Sequence, residues 1–146
     1  MDSSEVAAGL VQLLGLIRWL SPPGLSLTAA ATLTTLERSG PRRLTELAAD
    51  EGVTQPAMTQ LVGRLEAGGL VERRADPVDG RVVHVQLTDA GRDLVARRRA
   101  ARAERLSGLL ATLSAADQAA LAAALPAINA LARAPRDYLT ENWMEH

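Results

Sequence analysis

Apolar residues recur every three or four positions through most of this chain, the spacing of helices with one buried face. Val6, Leu10, Leu13, Leu14, Ile17 and Leu20 mark a first helix, with Ser3 or Ser4 as its expected cap. Ser21-Pro22-Pro23-Gly24 ends it, because proline supplies no backbone donor and glycine frees the chain to turn. A second helix starts near Ser26 or Thr28, passes Leu33 and Leu36, and stops at Ser39-Gly40 ahead of Pro41. Thr45 is the expected cap of a short third helix, Glu46 to Glu51, which Gly52 breaks. Thr54 caps a fourth, and Pro56 suits its first turn, where the missing N–H has no partner anyway. Met58, Leu61, Val62 and Leu65 form the buried stripe of that helix, and Gly68-Gly69 close it.

The period then falls to two. Leu70 to Arg74 reads as one strand and Arg81 to Leu87 as another, with Val83, Val85 and Leu87 on one face and Val82, His84 and Gln86 on the other. Between them Ala75 to Gly80 is a turn-rich tip. The two strands make a β-hairpin, which must pack on its neighbouring helices to be stable. Thr88 caps a helix reaching about Leu113, roughly 35–40 Å long, more than a small core can use and suited to reaching a partner. Ser114-Ala115-Ala116-Asp117 opens a last helix with the stripe Leu121, Leu125, Ile128 and Leu131. Pro126 inside that stripe predicts a kink or restart, and Pro135 an end. Tyr138, Leu139, Trp143 and Met144 in the tail are candidates to dock elsewhere.

Composition narrows the chemistry. The 146 residues suit one domain with a proper core, and 47% hydrophobic with 23% charged residues reads as soluble and globular. There is no cysteine, which excludes disulfides, thiolate zinc sites and thiol redox sensing. There is no lysine either, since all 16 basic residues are arginine, so P-loop and Schiff-base chemistry lack their residue. Two histidines, His84 and His146, argue against a histidine metal site. Aromatics are 2%, too few to stack single-stranded bases. The net charge is −1, yet Arg38 to Arg105 holds 13 arginines against 10 acids, which concentrates positive charge mid-chain. The longest near-apolar stretch in this reading, Val6 to Ile17, is too short to span a membrane, and Asp2 and Glu5 argue against a secretory leader, so a cytoplasmic address and no membrane partner are expected.

The strongest local signal runs from Leu44 to Leu65. Two short helices meet at Gly52, Ala48 sits where they cross, and Leu47, Val53, Met58 and Leu61 supply a shared core. That is the spacing of a helix-turn-helix, whose second helix enters a DNA major groove. Its outer face shows Gln55, Pro56, Ala57, Thr59, Gln60, Gly63 and Arg64. Glutamine pairs with adenine edges, threonine bonds bases or phosphates, alanine and threonine methyls touch thymine methyls, and Arg64 suits a phosphate. The competing reading is that any short amphipathic helix has a polar outer face. The hairpin downstream converts the motif into a winged helix. Arg73 and Arg74 enter the tip and Arg81 leaves it, and arginine at a hairpin tip suits a narrow minor groove. Asp79 would repel phosphate, so its expected task is to orient an arginine by a charge-assisted hydrogen bond. A solvated charged turn is the alternative for these arginines.

The stretches Leu44-Thr45-Glu46-Leu47-Ala48, Thr54-Gln55-Pro56-Ala57-Met58-Thr59 and Leu65-Glu66-Ala67-Gly68-Gly69-Leu70-Val71-Glu72-Arg73 resemble the MarR family of bacterial transcriptional regulators. So do Asp76-Pro77-Val78-Asp79-Gly80-Arg81, Leu87-Thr88 and Gly91, of which the D-x-R wing and the L-T-x-x-G opening of the long helix are the most diagnostic. The motif similarity covers Leu44 to Gly91. It implies a mainly α fold with a β-hairpin wing: a winged helix-turn-helix lobe plus a helical dimerisation region. The implied division is a dimerisation helix in residues 1–25, a DNA-binding lobe in 26–90 (recognition helix about 54–67, wing about 70–88), and connecting and dimerisation helices in 91–146. The expected DNA-binding residues are Thr54, Gln55, Pro56, Ala57, Thr59, Gln60, Arg64, Arg73, Arg74, Asp79 and Arg81.

The resemblance also implies a homodimer on a pseudo-palindromic duplex site, commonly a repressor released by a small aromatic or anionic effector. No effector motif carries over. Arg18 and Trp19 are candidates by residue type alone, and a dimer-core position is the competing reading for Trp19. Arg97-Arg98-Arg99, Arg102 and Arg105 read as solvent-facing or paired with acids across the dimer, with a DNA patch as the alternative. Arg42 and Arg43 are candidates for phosphate, and His84 for a surface strand position able to tune affinity with pH. No cofactor, metal or catalytic residue is expected. The exposed pair Asp76 and Asp79 has no pocket to make it catalytic. The runner-up function is a winged-helix protein-interaction module without DNA affinity, against which Arg64, Arg73, Arg74 and Arg81 argue.

Overall fold

The computed structural model describes residues 2–134. In chain order these form α1 (Ser3–Leu20), α2 (Leu27–Ser39), α3 (Leu44–Glu51), α4 (Gln55–Ala67), β1 (Val71–Ala75), β2 (Val83–Leu87), α5 (Asp89–Leu110) and α6 (Ala115–Ala132). The chain divides into two compact units, Met1–Leu106 and Ser107–His146. Tyr138, Leu139, Trp143, Met144 and the stop at Pro135 lie outside the described residues.

The first unit holds one hydrophobic core. Leu33 and Leu36 of α2, Leu47 of α3, the Met58–Leu61–Val62–Leu65 stripe of α4, Val71, Val85 and Leu87 of the hairpin, and Val95 of α5 are all buried in it. Every helix of the helix-turn-helix therefore rests on a neighbour close in sequence. Gly52 takes the left-handed conformation (φ 65, ψ 34) that lets α3 stop and α4 start, and the Val53 N–H closes the turn on the Ala48 carbonyl at 3.0 Å. Gly91 is needed for a different reason. A Cβ there would run into the Leu70 carbonyl oxygen, so only glycine lets the start of α5 approach the strand this closely. Thr88 locks the same corner, donating to the Gly69 carbonyl at 2.6 Å and accepting the Gly91 N–H at 3.1 Å.

Several local expectations are corrected. Asp2, not Ser3 or Ser4, caps α1, accepting the Ser4 N–H. Thr45 lies inside α3, which begins at Leu44. There the Glu46 carboxylate reaches back to the Arg43 N–H, so a glutamate in the first turn does the work expected of a threonine. The strands start one or two residues later than the alternation suggests. The Leu70 N–H still closes α4 on the Leu65 carbonyl, and the Val82 N–H is bound to the Asp79 carbonyl within the tip. The α6 helix runs through Pro126 to Ala132 without a restart, since one proline removes only one helical hydrogen bond.

The hairpin is antiparallel, pairing Val71 with Leu87, Arg73 with Val85 and Ala75 with Val83. Arg42 adds a single isolated bridge to the hairpin, exchanging two backbone hydrogen bonds with Val85 at 3.0 and 2.8 Å. Its guanidinium is held by Asp50 at 2.8 Å and Glu46 at 3.2 Å, which fastens α3 to the wing.

Outside that core the burial stops. In α1 only Leu20 is buried, while Val6, Val11, Leu13, Leu14, Leu16 and Trp19 are exposed. In the second unit α6 has no buried residue. Ala115–Ala132 carries one charge, Asp117, and by length and composition is apolar enough to cross a membrane, so it displaces Val6–Ile17 as the longest near-apolar stretch. Its large apolar residues recur as a stripe with alanine between.

Candidate DNA interface

The α4 helix is set with one face fully committed to the core and the other fully free. Met58 and Val62 are 0% exposed, Leu65 5% and Leu61 6%, while Thr54, Gln55, Pro56, Ala57, Thr59, Gln60 and Arg64 are exposed. The Thr54 hydroxyl caps the helix by accepting the Ala57 N–H at 3.3 Å. No carboxylate among the described residues pairs with Arg64.

The wing tip is built on Asp76, which is half-buried rather than exposed as expected. Asp76 Oδ1 accepts the N–H groups of Val78 at 2.8 Å and Asp79 at 3.0 Å, and its Oδ2 lies 3.5 Å from His84 Nε2. Those two backbone hydrogen bonds, then the nearby His84 and Arg43, hold the Asp76 carboxyl below its usual value. An Asp with its N–H partners two and three residues on was the available signal. Asp79 does orient Arg81, but through the main chain: its Oδ1 accepts the Arg81 N–H at 3.1 Å, leaving the guanidinium without a carboxylate partner among the described residues. The expected charge-assisted bond to an arginine side chain is absent because the carboxylate is used to shape the turn.

Strand register separates Arg73 from Arg74. Arg73 shares a face with Val71 and Ala75 and reaches Glu66 of α4 at 3.7 Å. Arg74 lies on the opposite face beside His84 and pairs with Glu72 at 3.3 Å. Gln86, across from Glu72, donates to it at 2.7 Å, and these hydrogen bonds from Gln86 and Arg74 hold the Glu72 carboxyl below its usual value. Both arginines thus enter the wing already partnered. Arg64 and Arg81 carry the free cationic charge of this surface.

Several of the other arginines serve the fold. Arg99 pairs with Glu37 of α2, Arg98 donates to the Pro23 carbonyl at 3.4 Å and Arg105 to the Leu20 carbonyl at 3.1 Å. These three tie α5 to α2 and to the end of α1 within the protomer, while Arg97 stays exposed, in keeping with the expected solvent-facing position. Arg42 and Arg43 are likewise engaged by acids of α3. Arg18 and Trp19 line a shallow hollow on α1 with Gly15, and Trp19 is 90% exposed. Neither lines the cleft between α2 and α5, about 60 Å³, which Ala30, Leu33, Thr34, Val95, Arg98, Arg99 and Arg102 enclose. Burial, and then the neighbouring Arg102, push the Arg98 guanidinium below its ordinary value.

A helix-turn-helix with its second helix bare on one side and a hairpin of exposed tip beside it is a winged-helix nucleic-acid binder. Comparison with known proteins agrees. The model of the MarR family matches residues 25–83. The uncharacterized HTH-type transcriptional regulator Mb0904 of Mycobacterium bovis is 34% identical over 130 residues, 88% of this chain and 91% of its own length. Among solved structures, RV1404 from Mycobacterium tuberculosis superposes with a TM-score of 0.76 at 24% identity, over 92% of this chain and 97% of that one. The S. aureus MepR mutant bound to an oligodeoxyribonucleotide has a TM-score of 0.59 at 22% identity, over 75% and 80% of the two chains. The chain belongs to the MarR family of helix-turn-helix transcriptional regulators. It is a DNA-binding regulator and not an enzyme.

Proposed function

We propose that the chain works as a homodimer on a pseudo-palindromic duplex site, with α4 in the major groove and the Arg81 tip in the adjacent minor groove. The observation that carries this reading is the two-sidedness of α4: four core residues 0–6% exposed on one face, and seven small or hydrogen-bonding residues exposed on the other. Gln55 and Gln60 suit adenine edges, and Arg64 and Arg81 supply unpaired guanidinium groups for phosphate and groove. Arg73, Arg74 and Asp79 act one step back, holding the wing's shape. The MepR mutant bound to an oligodeoxyribonucleotide supports the use of this fold on DNA. The second copy covers the exposed apolar residues of α1 and the bare stripe of α6, each of which lacks a partner among the described residues of its own unit. Residues 1–25 and 91–146 are in this reading the dimerising parts, and 26–90 the DNA-binding lobe.

The regulator is a repressor released by a small anionic or aromatic ligand at the cleft between α2 and α5. Arg98 and Arg102 crowd apolar Ala30, Leu33 and Val95 there while Arg99 is held by Glu37, and an anion relieves the repulsion between the first two. At about 60 Å³ the cleft holds a few waters, so such a ligand must open it and thereby strain the α2–α5 packing on which the lobe rests. Acting on the chromosome, the protein works in the cytoplasm.

A band-shift titration on the DNA upstream of its own gene, repeated over a salt series, tests the reading. Binding weakens steeply with salt because each neutralised phosphate releases counterions. Arg81→Ala lowers affinity and leaves sequence preference intact. Salt-independent binding, no shift on any genomic fragment, or a monomer by sedimentation at working concentration overturns it.

A further inference from the structure

Two threonines on the outer face of α4 use their hydroxyls in opposite senses. Thr54 accepts a hydrogen bond, from the Ala57 N–H. Thr59 donates one, to the Gln55 carbonyl a turn back, at 2.9 Å, while its side chain stays exposed. A hydroxyl whose proton is committed to its own helix has none left for a phosphate oxygen, a guanine N7 or O6, or a thymine O4, all of which only accept. Its oxygen can still accept, from an adenine N6 or a cytosine N4 donor, and beside it the γ-methyl group is free to face outward.

One turn further on, and on the same side of the helix, lies the half-buried Gly63. Glycine in a helix interior weakens the helix relative to alanine. Nothing among the described residues requires it here. Gly63 is not among the glycines of positive φ, and a Cβ built on it would meet nothing within 4 Å. A residue that loosens the helix without serving the packing points to a surface that arrives from outside and comes close to the backbone.

We propose that Thr59 reads a thymine through its γ-methyl group, and that position 63 is bare so that the groove edge carrying that thymine can close onto the helix. This rests on α4 being the recognition helix. Thymine is the one base with a methyl group in the major groove. The removal of one buried methyl weakens binding about fourfold.

The experiment begins with duplex sites selected from random sequence by the full-length protein, with affinities then measured by fluorescence anisotropy. Deoxyuridine is placed at each thymine in turn, which deletes only the 5-methyl group. One position in each half-site weakens the wild-type protein by about fourfold. Thr59→Ser keeps the hydroxyl and loses the methyl. It binds the thymine site about fourfold more weakly and is indifferent to deoxyuridine there. Thr59→Val loses the hydroxyl and keeps the methyl. It stays within about twofold of wild type and remains sensitive to deoxyuridine. Gly63→Ala folds with a raised Tm and binds the selected site at least about tenfold more weakly.

Three results overturn the proposal: no thymine whose methyl is felt, a Thr59→Val loss as large as that of Thr59→Ser, or a Gly63→Ala protein that binds like wild type. If the wild-type protein selects a site and ignores deoxyuridine throughout, the methyl reading falls alone. If it selects no duplex at all, the recognition-helix reading falls with it.

Discussion

The α4 and α6 helices carry the same kind of stripe and meet opposite fates. Met58, Leu61, Val62 and Leu65 of α4 are 0–6% exposed, whereas Leu121, Leu125, Ile128 and Leu131 of α6 are 41–59% exposed. The more apolar helix is the unburied one. A stripe states which face is to be covered and is silent about what covers it. For α4 the cover is α2, α3 and the hairpin, all within thirty-odd residues along the chain. For α6 no cover exists among the described residues of its own unit.

The sharpest test of this contrast pairs one substitution from each helix. Met58→Ala leaves a cavity in a core that cannot collapse around it and lowers lobe stability by about 2–5 kcal/mol in urea unfolding. Leu125→Ala, at concentrations where the chain is monomeric, changes unfolding by less than about 0.5 kcal/mol and acts on self-association instead. Equal losses in the two monomers would break the comparison.

Next in size is Gly91→Ala, expected to lower stability by about 1–3 kcal/mol, because the added methyl meets the Leu70 carbonyl and the α5 start must back away. Thermal unfolding reads it, and an unchanged Tm would show that this corner has slack. Thr54→Ala is smaller, about 1 kcal/mol, through the lost cap on the Ala57 N–H, and Thr54→Ser restores most of it.

The smallest effect lies in the wing. Asp76 has its carboxyl held below the usual value, so its contribution to the tip is complete above the ordinary aspartate range and disappears as pH falls through its lower folded value. The amide signals of Val78 and Asp79 shift together across that acid window, and Asp76→Ala abolishes the transition. A lobe whose Val78 and Asp79 amides ignore acid would remove Asp76 from its place at the tip.

Much of this architecture was legible because its causes are local. The Thr54 cap, the Gly52 turn, the α4 stripe and the alternating hairpin each depend on residues within one or two turns of one another. The roles of the arginines were not legible. Arg73 and Arg74 are adjacent in sequence, yet strand register puts them on opposite faces with different acids. Arg99 meets Glu37 across 62 positions, and Arg105 meets the Leu20 carbonyl across 85. Arg42 joined the wing through a one-residue bridge with no alternating pattern to announce it, since a single bridge needs none.

By itself the chain's order of residues determined which segments are helix or strand, which face of each turns inward, and that a winged helix-turn-helix lies at the centre, because these follow from periodicity, caps and turn chemistry acting over a few residues. Only the tertiary structure decided which charges stay free. Every arginine here can serve a phosphate, a carboxylate or a carbonyl equally well, and the choice falls to whichever group the fold brings within about 3 Å.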